Sequence, residues 1–196
     1  MTDGQYRSTL PKQGLDGPNE RIRTLLTEAK LKLGMLPNMY TLMGNAPELL
    51  ETYLFGYERF RQDSGLSPAE QEVVFLTISY QNGCDYCIAA HSVIADTQSK
   101  VPRHVTDAIR AGAPISDPQL NALATFTQRM LMTRGRPTEE DVASFISAGY
   151  TEKQVLDIIL ALAVKTISNY TNHIFGTPLD KVFEAREWKP AGAVRE

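Results

Sequence analysis

The stretch SPAEQEVVFLTISYQNGCDYCIAAH, Ser67 to His91, decides the fold. Ser67 with Glu70 is a capping box, and Pro68 occupies the first helical position. Val73, Val74, Phe75, Leu76 and Ile78 follow with little polar interruption, so the helix they build is buried on most of its circumference. Asn82-Gly83 stops it, and another helix begins at Cys84. The stretch is a helical hairpin with its chemistry at the turn.

Helical spacing extends in both directions from this hairpin. Ile22, Leu25, Leu26, Ala29 and Leu33 keep the three-four rhythm until Gly34. Pro37 and Pro47 each suit the first turn of a helix, and Leu49, Leu50, Tyr53, Leu54, Tyr57 and Phe60 give the second a broad apolar face. On the other side, Pro102 opens a short helix closed by Gly112, and Asp117-Pro118 starts one that runs to Thr133. Thr138 caps a helix closed by Gly149, and Thr151 with Gln154 is a second capping box before a long helix to Phe175. No alternating strand pattern competes with these runs. The expected fold is all-α, with about eight to ten helices.

Residues 1–19 are rich in glycine and proline and read as an arm; 20–183 form the helical domain, and 184–196 a tail. A weak repeat at an offset of 84 places 67–91 on 151–175: Ser67 falls on Thr151, Glu70 on Gln154, Val74 on Ile158 and Leu76 on Leu160. Cys84 then falls on Ser168, Cys87 on Thr171 and His91 on Phe175, so this repeat implies duplicated hairpins of which only the first keeps its thiols.

The chain has 196 residues, 42% of them apolar, and a net charge of −3 from 20 basic and 23 acidic residues. It lacks the basic excess of a nucleic-acid binder. The longest apolar-rich stretch, Val155 to Val164, contains Asp157 and is too short to span a bilayer. The polar start Met1 to Arg7 is not a secretory signal, so the expected location is cytoplasmic by default. Neither a membrane nor a cofactor is called for.

The two cysteines, Cys84 and Cys87, close too small a loop to staple a fold, which points to redox or metal chemistry. At about 100° per residue, Cys84, Cys87 and His91 share an arc of roughly 60° on one helix face. Cys87 and His91 are i,i+4 neighbours, close enough for an imidazole to hold or take a thiol proton. The rise along the hairpin brings Glu72 to the depth of His91, where a carboxylate would fix the imidazole tautomer. A carboxylate on so apolar a helix also needs a partner. The helix dipole taken alone favours Cys84 as the more acidic, more exposed thiol. Of the other histidines, His173 near the end of the long helix reads as structural, and His104 carries no role.

The combination Glu72, Cys84, Cys87 and His91 resembles the AhpD-like alkylhydroperoxidases, within the wider carboxymuconolactone decarboxylase family. Lys165 to Pro178 (KTISNYTNHIFGTP) is also similar to members of that superfamily. The resemblance implies an AhpD-like fold of duplicated helical hairpins and peroxide reduction through the cysteine pair. It implies Cys87 as the sulfur that becomes sulfenic acid, Cys84 as proton donor and resolving thiol, and Glu72 with His91 as proton relay. It also implies an external reductant, a dithiol of the lipoyl or thioredoxin type, and a homotrimer or hexamer. One position departs: AhpD proteins carry a histidine between the cysteines, where this chain has Tyr86.

Two other functions fit the same residues. Decarboxylases of the superfamily share the fold but generally lack the cysteine pair. A zinc module would take Cys84, Cys87 and His91 with Glu72 or His173 as ligands. A homo-oligomer is expected because many short amphipathic helices leave apolar faces, for example around Leu49, Tyr53, Leu54 and Tyr57. The arm Met1 to Asn19 is expected to reach a neighbouring subunit.

Overall fold

A computed structural model describes residues 4–189. In chain order its elements are α1 (Glu20–Leu33), α2 (Asn38–Met43), α3 (Pro47–Asp63), α4 (Pro68–Gln81), α5 (Asp85–Thr97), α6 (Arg103–Arg110), α7 (Pro118–Met132), α8 (Glu139–Ser147) and α9 (Glu152–Phe175). A 3-10 turn, Lys181–Arg186, follows. Among the described residues there is no strand, and the expected helix starts and stops fall where their caps place them.

The buried helix α4 is the axis of the molecule. Ser67 Oγ accepts from Glu70 N at 3.3 Å, and Glu70 Oε2 accepts from Ser67 N at 2.7 Å, so two otherwise orphaned donors are satisfied. Every residue from Gln71 to Ser79 is buried, because α5, α6, α7 and α9 all pack around it. An α4 apolar on all sides is the sequence cause of that position. Phe75 sits at the centre, its ring 4.7 Å from Phe60 and 4.9 Å from His91. Truncating it to alanine would cost about 3–5 kcal/mol.

The turn between α4 and α5 is not repeated in the second half. Gly83 takes a left-handed φ of 65°, which lets the chain reverse into α5. The offset position is Ile167, a β-branched residue to which that region is closed, and α9 continues unbroken through it for 24 residues. The second copy of the repeat is therefore one helix, not a hairpin. It is placed across α2, α3 and α4, with Val164 only 3.0 Å from where a Cβ on Gly56 would stand.

Three surface expectations change. The face around Leu49, Tyr53, Leu54 and Tyr57 turns inward onto the core, because α3 lies between α1 and α9. Large exposed apolar residues are instead spread over several elements, among them Leu31 on α1, Phe55 on α3, Met132 on α7, and Leu156, Ile159, Tyr170 and Ile174 on α9. The arm, from Arg7 onward, lies on its own chain: Arg7 caps the carbonyl of His173 at 2.6 Å, Ser8 N bonds Ile174 O, and Gln13 N bonds Thr41 O. Met1 to Asp3 lie outside the described residues.

The tail boundary also moves. Arg186 is buried, paired with Asp96 at 3.3 Å and Asp107 at 2.9 Å, and donates to Thr106 Oγ1. Arg110 donates to the carbonyls of Arg186 and Glu187, and Trp188 Nε1 donates to Arg110 O. Residues 184–189 thus belong to the helical body, held by charges on α5 and α6 that no local pattern links to them. No helix among the described residues is long and apolar enough to cross a membrane.

Candidate active site

The α4–α5 hairpin brings Glu72 and His91 face to face. His91 Nδ1 lies 2.8 Å from Glu72 Oε2, and both side chains are buried. Arg61 of α3 donates to the other carboxylate oxygen at 2.5 Å and to Tyr57 Oη at 2.7 Å. Burial pushes the Glu72 carboxyl up, but His91 and Arg61 together hold it below the ordinary range, so it is ionised. Burial and then the nearby Lys165 charge push His91 down against the pull of Glu72. The imidazole is consequently neutral near pH 7. It donates from Nδ1 to Glu72 and keeps an unprotonated Nε2.

The thiols take unequal places. Cys84 is the N-cap of α5, with extended backbone at φ −88° and ψ 95°, so it does not follow the helical wheel assumed for it. Cys87 is the third residue of α5, inside the first turn where backbone N–H groups are free. Cys84 is fully buried and Cys87 nearly so. The hydrogen bond to Cys87, with burial, drives the Cys84 thiol well above its usual value. Burial also pushes Cys87 up, but the Cys84 thiol, the Lys165 ammonium and His91 overcome it and bring Cys87 well below. The acidic thiol is therefore Cys87, the reverse of the dipole expectation. The dipole serves the third helical residue better than the cap, and the decisive charges come from other elements.

Two residues of α9 complete the cluster. Asn172 Nδ2 lies 3.2 Å from Cys87 Sγ, 3.7 Å from Cys84 Sγ and 3.3 Å from Met39 Sδ. Lys165 is fully buried, its Nζ 5.5 Å from the Phe75 ring centroid and without a hydrogen-bond partner in bonding geometry. Neither residue, nor Arg61, belongs to the site expected from the sequence. A lysine directly after the apolar run Val155 to Val164 is the one signal that could have found Lys165. Arg61 and Asn172 sit in ordinary amphipathic patterns.

A cavity of about 140 Å³ opens onto Cys87 and His91, walled by Tyr40, Tyr53, Tyr57 and Tyr86 among others. A second space of about 330 Å³ adjoins it, the two sharing Leu33, Tyr40 and Tyr57. Tyr86, between the cysteines, donates to Asp180 Oδ2 at 2.5 Å. Its hydroxyl is tied to the C-terminal segment.

The zinc set does not converge. Glu72 is held by Arg61 and His91, and the His173 ring stacks on Tyr170 at the outer end of α9. Among the described residues no group of three or more His, Cys, Asp or Glu side chains is placed to hold a metal. His104 is exposed.

Residues 47–129 match the profile of the carboxymuconolactone decarboxylase family. No curated protein matches the sequence. Among solved structures, an uncharacterized peroxidase-related protein with an alkylhydroperoxidase AhpD core, from Ralstonia eutropha JMP134, superposes with a TM-score of 0.78 and 24% identity. The match covers 89% of this chain and 93% of that one. A peroxidase-related protein from Silicibacter sp. TM1040 gives 0.76 at 20% identity, over 93% and 96% of the two chains. The debrominase Bmp8, in complex with 2,3,4-tribromopyrrole, gives 0.72 at 18% identity, over 91% and 96%. At these coverages the superpositions extend well beyond the matched family region. Residues 47–129 thus match the carboxymuconolactone decarboxylase family profile, and the chain shares the fold of these AhpD-like structures.

Proposed function

We propose that this protein is a thiol-dependent peroxidase of the alkylhydroperoxidase type, acting through Cys87 and Cys84 with Glu72 and His91 as proton relay. The observation that carries it is the inequality of the two thiols: an acidified Cys87 facing a cavity, with a protonated Cys84 bonded to it and a neutral imidazole alongside. The Cys87 thiolate attacks the outer peroxide oxygen, the O–O bond breaks, and the departing alkoxide takes the Cys84 proton to leave as alcohol. Cys87 is then a sulfenic acid. The Cys84 thiolate attacks that sulfur, and hydroxide leaves as water with one proton taken up from solvent and passed on by His91 Nε2. One peroxide is reduced by two electrons and one disulfide forms.

An external dithiol of the lipoyl or thioredoxin type reopens the disulfide by exchange. The working form is a homo-oligomer, a trimer or hexamer, in which the exposed Leu156, Ile159, Tyr170 and Ile174 of α9 are covered. Light scattering should then report several times the chain mass.

Anaerobically reduced protein should titrate two thiols per chain and lose both after one equivalent of an alkyl hydroperoxide. Thiols that survive several peroxides overturn the proposal. The four-tyrosine cavity beside Cys87 favours one second substrate type, a halogenated ring of the kind carried by the debrominase complex. There the same dithiol would yield a disulfide, halide and the dehalogenated ring. Peroxide and brominated pyrrole assayed side by side separate the two. Decarboxylation, the third possibility on this fold, would survive replacement of both cysteines by serine.

A further inference from the structure

Arg61 and Glu72 form a neutral pair, and His91 is uncharged between Glu72 and the thiols. Tyr40, Tyr53 and Tyr57 are kept protonated by burial, and the Tyr86 hydroxyl is engaged with Asp180. These are the titratable and charged groups that α2, α3, α4, α5 and the C-terminal segment turn toward the thiols. They leave one charge unbalanced, the Lys165 ammonium of α9, which is fully buried and lacks a hydrogen-bond partner. A buried, unpaired cation is costly, and the π face of Phe75 at 5.5 Å offsets only part of that cost. The group in the cluster that can balance it by losing a proton is Cys87.

We propose that Lys165 is the counter-ion of Cys87: it makes Cys87, not Cys84, the resting thiolate, and it makes the disulfide the less stable redox state. Closing the Cys84–Cys87 bond removes the anion that balances Lys165, so oxidation returns the ammonium to an unbalanced buried state. The reduced protein is favoured, and the disulfide is a ready oxidant for an incoming dithiol. Lys165 is a positioning residue that acts through Cys87. The inference rests on Cys87 being the reacting sulfur in the function proposed above.

The test uses full-length protein as wild type, Lys165→Met and Lys165→Arg, with folding checked by circular dichroism. Thiolate ultraviolet absorbance is followed against pH, and the thiol–disulfide equilibrium is measured in glutathione buffers. In those buffers, protein dithiol and oxidised glutathione exchange for protein disulfide and two reduced glutathiones. Lys165→Met should move the thiolate titration upward by at least about one pH unit, roughly a tenfold loss of thiolate at a given pH below it. The glutathione equilibrium should shift about tenfold toward disulfide, and Lys165→Arg should restore most of both effects. A folded Lys165→Met with wild-type titration and equilibrium overturns the inference.

If Lys165→Met does not fold, wild type alone still decides. Reduced protein should gain stability over oxidised protein as pH rises from the Cys87 transition to the ordinary thiol range, and a pH-independent difference overturns the proposal. None of these readouts uses peroxide. Unreactive thiols in the peroxide titration would therefore end the peroxidase proposal while leaving this one standing or falling separately.

Discussion

Segments 67–91 and 151–175 both open on a capping box, Ser67 with Glu70 and Thr151 with Gln154, and both continue as a largely apolar helix. They part at one position. Gly83 reverses the first chain into a hairpin, whereas Ile167 carries the second straight on. The hairpin holds the nucleophile side of the site: Glu72, Cys84, Cys87 and His91. The straight helix crosses it and supplies Asn172, an amide donor to both sulfurs, and Lys165, a buried cation whose charge lowers Cys87. Similar beginnings thus gave complementary halves. The turn creates a helix N-terminus where thiols can be acidified, and the unbroken helix brings polarity in from the far side.

The sharpest way to break this comparison is to give the hairpin the other segment's residue at its centre. Cys87→Thr, which copies Thr171, should abolish peroxide-dependent loss of thiols and peroxide turnover while leaving the far-ultraviolet spectrum unchanged. Cys84→Ser, copying Ser168, should still consume one peroxide but stall as a sulfenic acid that a dimedone-type reagent captures.

Glu72 has no charged counterpart, since its offset position is the exposed Leu156. Glu72→Gln strands Arg61 without its anion and should lower stability by about 3–5 kcal/mol in urea unfolding. It should also remove an acid-dependent component. The folded pKa of Glu72 lies below the unfolded one, so its contribution is complete above about pH 4.3 and is lost as pH falls through the folded value. His91 behaves in the same sense at higher pH. Its folded pKa is lowered, so stability should begin to fall below about pH 6.5 in wild type and in Glu72→Gln alike.

The turn itself gives a smaller effect. Gly83→Ala meets open space around its Cβ, so its cost is conformational, about 1–2 kcal/mol by denaturant melting. The reverse change, Ile167→Gly, should leave α9 helical, because a permissive residue does not by itself make a turn; its cost of about 2–4 kcal/mol is mostly the lost packing of Ile167 against the core. The smallest expected change is Asn172→Leu. It removes the donor shared by the two sulfurs, worth about 1 kcal/mol, and should slow peroxide reduction roughly fivefold without preventing disulfide formation.

The sequence by itself determined the helices, their ends and the residues of the candidate site on the hairpin. Caps, prolines and glycines act within four residues, and the apolar monotony of α4 made it the buried axis wherever the other helices went. The pairing of Glu72 with His91 was legible for the same reason, since one tight turn fixes the register of the two helices that carry them. Whether the second repeat would turn or run on was also written locally, in Ile167 against Gly83. Only the tertiary structure decided the electrostatics. The lowering of the Cys87 thiol draws on Cys84 beside it but also on Lys165, about eighty residues away in sequence, and that of Glu72 on His91 and on Arg61 from a third helix. The C-terminal strap through Arg186 and the placement of Asn172 depend likewise on charges and sulfurs from distant segments. Secondary structure follows from short-range sterics and hydrogen bonds. The protonation of a buried group instead depends on every charge brought within a few ångströms of it, and the packing of helices remote in sequence sets that list.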